Sequence, residues 1–429
     1  MRVDIQVSTT DPQNRTFMTW VPVKATARLA DASGASNPAH VTLQNGGVSN
    51  GGRLAFDTVR SDAGADHLDL DLPTDGTPVE FWVAGEFQHP SSDYGDAAID
   101  VMASGTQVGR CEMMVRIRKN AVKLSAAERD RFLLALGKLN NAGQGVFQGF
   151  RDTHVTDSLD EAHGFPGFPP WHRAYILDLE RALQGIDSSV TLPYWRFDQT
   201  ATALFDMAFL GMPPANPAQG DTIQFPHGHA LEFWKTDTLD SIDRRPFFNI
   251  NGPPPTQLLG RPNVITQAET MLLGTRYDRF RRMEGAPHGP AHTSFDGPIN
   301  DPATAPKDPL FFLLHANVDR LWAFWQWFNK RTDSASSDSY STAGAPPGRP
   351  GLIGHNLGDT LWPWNQSRTP PRPTFPVPRG PFPTSPITTR PGAQPTVRDM
   401  IDWQGVHGGD PLGFDYDDVP FELHAGGVA

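Results

Sequence analysis

The sequence contains a single cysteine, Cys111, in 429 residues. That scarcity excludes an intrachain disulfide and any zinc or iron–sulfur site built from cysteine thiolates. No apolar run approaches the roughly 18 residues that a membrane-crossing helix requires. The opening stretch MRVDIQVSTTDPQN also lacks the apolar core of a secretory signal. The expectation is a soluble protein, cytoplasmic or carried out of the cell by a partner. Positive charge is in deficit, with 36 Lys and Arg against 48 Asp and Glu and no basic cluster. Such a surface is a poor match for nucleic acid or an anionic membrane. No internal repeat is apparent.

The length is ample for two or three domains. From Met1 to about Val115, short alternating apolar runs (residues 17–21, 68–72, 79–83 and 111–117) are separated by Gly, Asn, Asp and Ser clusters. Period-two runs with turn signals between them predict an antiparallel β-sandwich. The pattern changes near Arg118. Ser125-Ala-Ala-Glu128 is a capping box, after which Phe132, Leu136 and Leu139 recur at helical spacing. Helices are expected near 126–140, 145–155, 171–184, 266–284 and 309–330. The predicted architecture is an all-β sandwich accessory domain over residues 1–117, then a mainly α helical-bundle core over 118–429. A proline-rich segment, 344–395, cannot be helix or central strand and reads as a flap or a semi-rigid surface spacer.

Histidine carries the chemistry. His288 and His292 stand four apart, on one face of a helix, and His315 follows on a helix that Asp308 can cap and Pro309 can open. A second trio, His154, His163 and His172, lies upstream, with His172 in the first turn of a helix entered through Pro169 and Pro170. Two imidazole-only triplets suit copper, zinc, iron or nickel, and copper tops the affinity series. The remaining histidines, including His227 and His229, read as surface or loop residues.

The phrases PPWHRAYILDLERAL and DPLFFLLHANVDRLWAFWQ, with the spacings His163-x8-His172 and His288-x3-His292, resemble the tyrosinase, catechol oxidase and hemocyanin superfamily of type 3 dicopper proteins. The resemblance runs from about Arg118 to Tyr416. It implies a tyrosinase-like core with two copper ions, the first held by His154, His163 and His172 and the second by His288, His292 and His315, with dioxygen as co-substrate. It further implies that Phe311 packs on the imidazoles, that Asp319 supports a ligand from behind, and that Glu284 holds an ordered water able to help deprotonate a phenol. The closing Phe414-x-Tyr416 resembles the family's final aromatic motif, with Arg118 as its expected cation–π partner, locking the ends of the core.

Three departures bear on function. Gly289 stands where many phenol-hydroxylating relatives have an asparagine that works with the glutamate. Leu314 replaces the first of two successive histidines, which leaves the ligand set intact and makes the pocket more apolar. Cys111 lies far from His163, so no thioether to a first-site histidine is expected. Together these imply a dicopper oxidase converting ortho-diphenols to ortho-quinones, with weak or no hydroxylation of monophenols. The alternatives are a tyrosinase with real monophenolase activity, an ortho-aminophenol oxidase, and, from another class, a hemocyanin-like oxygen carrier. A zinc hydrolase lacks the expected carboxylate in register. A small phenolic substrate and a copper-loading helper protein are the expected partners, and oligomerisation is left open. The chain stops about a dozen residues after Tyr416, so no C-terminal plug over the site is expected; the β-domain is a candidate for shielding or substrate selection.

Overall fold

The computed structural model describes residues 1–9, 11, 13–154, 158–214, 222–237, 239–248, 250, 264–343, 354–365 and 385–423. Most of the proline-rich segment, 344–353 and 366–384, lies outside them. The chain divides into two compact units, one formed by Met1–Arg118 with Gln404–Ala429, the other by Lys119–Trp403. The last two dozen residues therefore join the β-rich unit, where the sequence pattern had placed them with the helices.

In the first unit, β1 (Arg2–Val7), β3 (Val23–Asp31), β7 (Val79–Gly85) and β5 (Leu54–Asp57) form one sheet in the order β1-β3-β7-β5. A second sheet is ordered β2-β9-β8-β4-β6, from β2 (Thr16–Met18), β9 (Thr106–Val115), β8 (Ala97–Ala103), β4 (Ala39–Asn45) and β6 (His67–Leu72). Alternation drives the burial: Ala39, Val41 and Leu43 of β4 point inward with Leu70 and Leu72 of β6, and Val3, Phe56, Phe81 and Val83 of the other sheet share the same apolar cluster. One pairing departs from the antiparallel expectation, since β2 runs parallel to β9. A three-residue edge strand reached through a loop rather than a hairpin is free to enter in that direction.

Residues 404–423 complete this unit. Val406 and Phe421 enter its apolar cluster. Asp415 accepts the Trp20 N–H at 2.8 Å and the Gln404 amide at 2.8 Å. The buried guanidinium of Arg118 lies 3.9 Å from the Phe414 ring centroid and 5.3 Å from that of Tyr416, and its Nη1 donates to the Tyr416 hydroxyl at 2.8 Å. The expected cation–π contact is present, with Phe414 the nearer ring. What it joins is the C-terminal segment to the end of the first unit, not the two ends of the helical core.

The second unit is helical: α1 (Ala126–Asn140), α2 (Phe147–Thr153), α3 (Leu159–Ala162), α4 (Phe168–Gln184), α5 (Gln267–Met271), α6 (Tyr277–Phe280), α7 (His288–Thr293) and α8 (Leu310–Asn329). The Ser125 side chain accepts the Glu128 N–H and Glu128 returns the bond, fixing the start of α1. Helix α8 is apolar on nearly every face and buried from Leu310 to Ala323; Asp308 accepts the Leu310 N–H at 2.9 Å and pairs with buried Arg244 at 2.7 Å. The helix expected over 266–284 is broken into α5, α6 and the 3₁₀ turn Arg281–Glu284. Gly274, at φ +145°, takes a conformation that ends a helix. The sequence charge is unevenly divided: the first unit holds 9 Lys and Arg against 20 Asp and Glu, eleven of the twelve excess negative charges. The helical unit is therefore near neutral, and cation affinity there must come from local donors.

Candidate metal centre

Each triplet assembles from elements that end or begin where a histidine is needed. His154 terminates α2, His163 follows α3 in extended backbone, and His172 sits one turn into α4. His288 opens α7, His292 lies one turn on, and His315 lies on α8. In each trio the nearest ring nitrogens fall within 4.8 Å of one another, with no carboxylate among them. Five of the six rings are buried and His163 is half-buried.

Four of the imidazoles are oriented by backbone carbonyls. Nδ1 of His154 donates to Pro302 at 2.7 Å, His172 to Phe168 at 2.9 Å, His288 to Glu284 at 2.9 Å and His292 to Ile299 at 2.7 Å. A carbonyl can only accept, so the proton sits on Nδ1 and each Nε2 presents a lone pair. Nε2 of His154 and His172 face each other at 3.3 Å, and His292 and His315 at 3.2 Å. In the first pair both nitrogens present lone pairs, which repel unless a cation lies between them. Two nitrogens each about 2.0–2.1 Å from one tetrahedral ion would stand about 3.3–3.4 Å apart. The donor set therefore fits a metal ion at each triplet.

Electrostatics agrees. Burial lowers the His154 pKa to about 3 and that of His292 to about 4. Burial, then the neighbouring imidazoles, holds His163, His172, His288 and His315 well below the ordinary histidine range. All six are thus neutral at physiological pH, the form that ligates.

Two phenylalanines wall the site. Phe311 lies 4.2 Å from His315, 4.9 Å from His154 and 5.9 Å from His292, as expected of it. Phe168 lies 4.6 Å from His172, 4.8 Å from His288 and 5.6 Å from His163. Each precedes the last histidine of its triplet by four residues, a spacing that could have revealed Phe168 as readily as Phe311.

The other candidates fall as follows. Burial raises the Glu284 carboxyl to about 7, against the opposing hydrogen bond it accepts from the Gly164 N–H at 2.6 Å. Its own backbone carbonyl holds His288, so this residue bonds to one ligand and to Gly164, the neighbour of another, His163. Beyond Gly289, a Cβ would meet only the Glu284 carbonyl, at 3.8 Å. Asp319 is buried, but its carboxylate pairs with Arg173 at 2.5 Å, and among the described residues Nδ1 of His315 has no hydrogen-bond partner. Leu314 is fully buried. Cys111 lies on β9 in the first unit, its thiol pushed up by burial. His227 reaches Glu232 at 3.1 Å and His229 stacks on Phe225, away from both triplets. The described part of the proline-rich stretch packs on α4: the Trp171 indole donates to the Trp362 carbonyl and the Trp364 indole to Asp178.

Residues 144–328 match the common central domain of tyrosinase. A tyrosinase of Streptomyces antibioticus is 31% identical over 276 residues, covering 58% of this chain and 93% of that protein. The grixazone synthase of Streptomyces griseus is 30% identical over 270 residues, covering 50% and 85%. Among solved structures, a functional unit of octopus hemocyanin aligns with a TM-score of 0.42 at 21% identity, over 71% of this chain and 69% of that one.

Proposed function

Because this chain belongs to the tyrosinase family, copper-dependent oxidoreductases with a dinuclear centre that uses dioxygen, we propose that it oxidises ortho-diphenols to ortho-quinones and hydroxylates monophenols weakly or not at all. Copper held by His154, His163 and His172 and by His288, His292 and His315 supplies the electron-transfer and Lewis-acid chemistry. Two diphenols each give up two electrons and two protons, and one dioxygen takes up all four of each to become two waters.

The protein's part is geometric. The carbonyls of Pro302, Phe168, Glu284 and Ile299 hold four imidazoles in the ligating tautomer. Phe168 and Phe311 exclude water and keep the rings from turning. A Glu284 carboxylate, once ionised, can accept a phenolic proton.

The observation that carries the reading is Gly289. Beside His288 there is room for a side chain and none is present, so nothing there orients a water between Glu284 and an incoming phenol. One Glu284 oxygen is also engaged by Gly164. Assisted removal of a phenolic proton is therefore poorly served, which limits monophenols, the less acidic substrates, more than catechols, which must lose protons as well.

The test is copper quantitation on the purified protein, followed by a panel of tyrosine, catechols and ortho-aminophenols followed by absorbance and oxygen uptake. Fast quinone formation from catechols and a long lag or silence with tyrosine is expected; rapid hydroxylation of tyrosine would overturn the assignment. Ortho-aminophenols present the same vicinal donor pair as catechols and are the second reading, decided by the same panel. Reversible oxygen uptake with no product would favour a carrier.

We read the first unit as a β-sandwich accessory module over residues 1–117, completed by the C-terminal segment, with a role in shielding or substrate selection. A copper-loading helper is supported by the burial of five of the six donors, which slows entry of an ion.

A further inference from the structure

Arg173 follows His172 on α4, and Asp319 lies four residues beyond His315 on α8, so the two charges sit beside a ligand of each triplet. Their side chains meet at 2.5 Å, both fully enclosed. The Arg173 guanidinium also lies 3.8 Å from the Trp322 ring centroid, and its Nη1 donates to Gln326 at 3.0 Å and to the Met400 carbonyl at 2.6 Å. Asp319, Trp322 and Gln326 are spaced at three and four residues, one stripe along two turns of α8. A planar five-donor fork gripping that stripe fixes both the rotation of α4 and its height along α8.

A buried ion pair is weak support for stability and is best explained by the register it enforces. Register matters here because the His172 and His315 rings, one from each triplet, stack at 4.2 Å with planes 11° apart. Sliding α4 along α8 would change the gap between triplets directly. The Asp319 carboxylate engages Arg173, while Nδ1 of His315, one turn before it, has no hydrogen-bond partner among the described residues.

We propose that the Arg173–Asp319 pair is a positioning device that sets the separation of the two copper ions. Copper retention and copper coupling are thereby distinct properties of this chain: the imidazoles provide the first, the ion pair the second. The inference rests on the dicopper reading, and the experiment separates the two.

The test compares the wild-type protein with Asp319→Asn and Arg173→Lys, the latter keeping the charge and losing the fork. Metal analysis, far-ultraviolet circular dichroism, electron paramagnetic resonance of the oxidised protein and the near-ultraviolet band produced by oxygen are measured on each. If the wild type binds fewer than two coppers, the dicopper reading itself fails. The expected result is two coppers per chain throughout, with uncoupled copper(II) signal appearing in the variants and the oxygen-dependent band weakened about tenfold. Should Asp319→Asn fail to fold, Arg173→Lys decides. Variants that stay paired and resonance-silent overturn the proposal, as do folded variants that lose copper in step with coupling, because the pair would then be supporting individual ligands.

Discussion

The imidazoles of His172 and His315 lie face to face, centroids 4.2 Å apart and planes 11° apart, although the two residues come from different helices and different triplets. The two metal sites are therefore not independent pockets that happen to be close. Each is walled by a phenylalanine one turn ahead of a ligand, and Phe168 touches histidines of both. Consequences for single-residue changes follow from that shared wall.

Phe168→Ala should weaken both metal sites together. The ring is fully buried, and removing one of this size costs about 3–5 kcal/mol through lost burial and the cavity left behind. Denaturant unfolding should show a loss of that order, and chelator competition should release copper from both sites in parallel. Release of first-site copper alone would show that the ring's contact with His288 has no energetic weight. Phe168→Leu, which refills most of the space, should recover most of the loss.

Gly289→Asn should raise hydroxylation of monophenols while leaving the fold intact. The added Cβ meets one atom, at an ordinary 3.8 Å, so the stability change should stay within about 0.5 kcal/mol. Tyrosine turnover should start with a shorter lag and catechol turnover should change little. Because burial raises the Glu284 carboxyl to about 7, the base is mostly protonated at lower pH, and the hydroxylation it assists should climb as pH rises. Bound copper, a nearby cation, favours the ionised form and moves that limb to lower pH. Glu284→Gln in the Gly289→Asn background should flatten it; an unchanged pH profile would remove Glu284 from the chemistry.

Much of this site was legible in the sequence because it is local. The i,i+4 pairs His288/His292 and Phe311/His315 are a helix's own geometry, and the capping box at Ser125 places α1 within a residue. What escaped depends on partners far away in the chain. Nothing near Asp319 indicates that its carboxylate goes to Arg173, 146 residues earlier. Nor does the run after Trp403 reveal that Val406 and Phe421 complete an apolar cluster built from the first hundred residues. The helix expected over 266–284 failed for a local reason that was given too little weight, the glycine at 274.

Tyr416→Phe tests one of those long-range contacts. The hydroxyl accepts a hydrogen bond from the buried guanidinium of Arg118, 298 residues earlier in the chain. Removing one acceptor of a buried charge costs about 1.5–3 kcal/mol. A cooperative loss of that size in thermal unfolding is expected, with the Phe414 ring still covering the guanidinium at 3.9 Å. Tyr416→Leu, which removes the second ring as well, should cost more. Equal values for the two would mean that the cation–π component contributes nothing.

The histidine cluster gives the copper-free protein a characteristic acid sensitivity. In the unfolded chain each histidine titrates near 6.5, whereas in the folded protein His292 titrates near 4, His154 near 3 and the other four well below normal, all because burial penalises the charged ring. Between those values the unfolded state binds more protons, so stability rises with pH there. The contribution is complete above the unfolded pKa and disappears as pH falls toward the folded values. Over the interval from 6.5 to 5, each fully buried histidine forfeits about 2 kcal/mol. The melting temperature of the copper-free protein should fall steeply from pH 7 to pH 5, and less steeply in His292→Leu, which removes one of the titrating rings. Copper-loaded protein should begin higher, since an ion bound only to the folded state adds its binding energy, and should hold its metal to lower pH, because the folded imidazoles stay neutral until the pH approaches 4. A melting temperature for the copper-free form that stays flat across this range would mean that the rings are already solvated and charged, which six neutral nitrogen donors facing two ions cannot be.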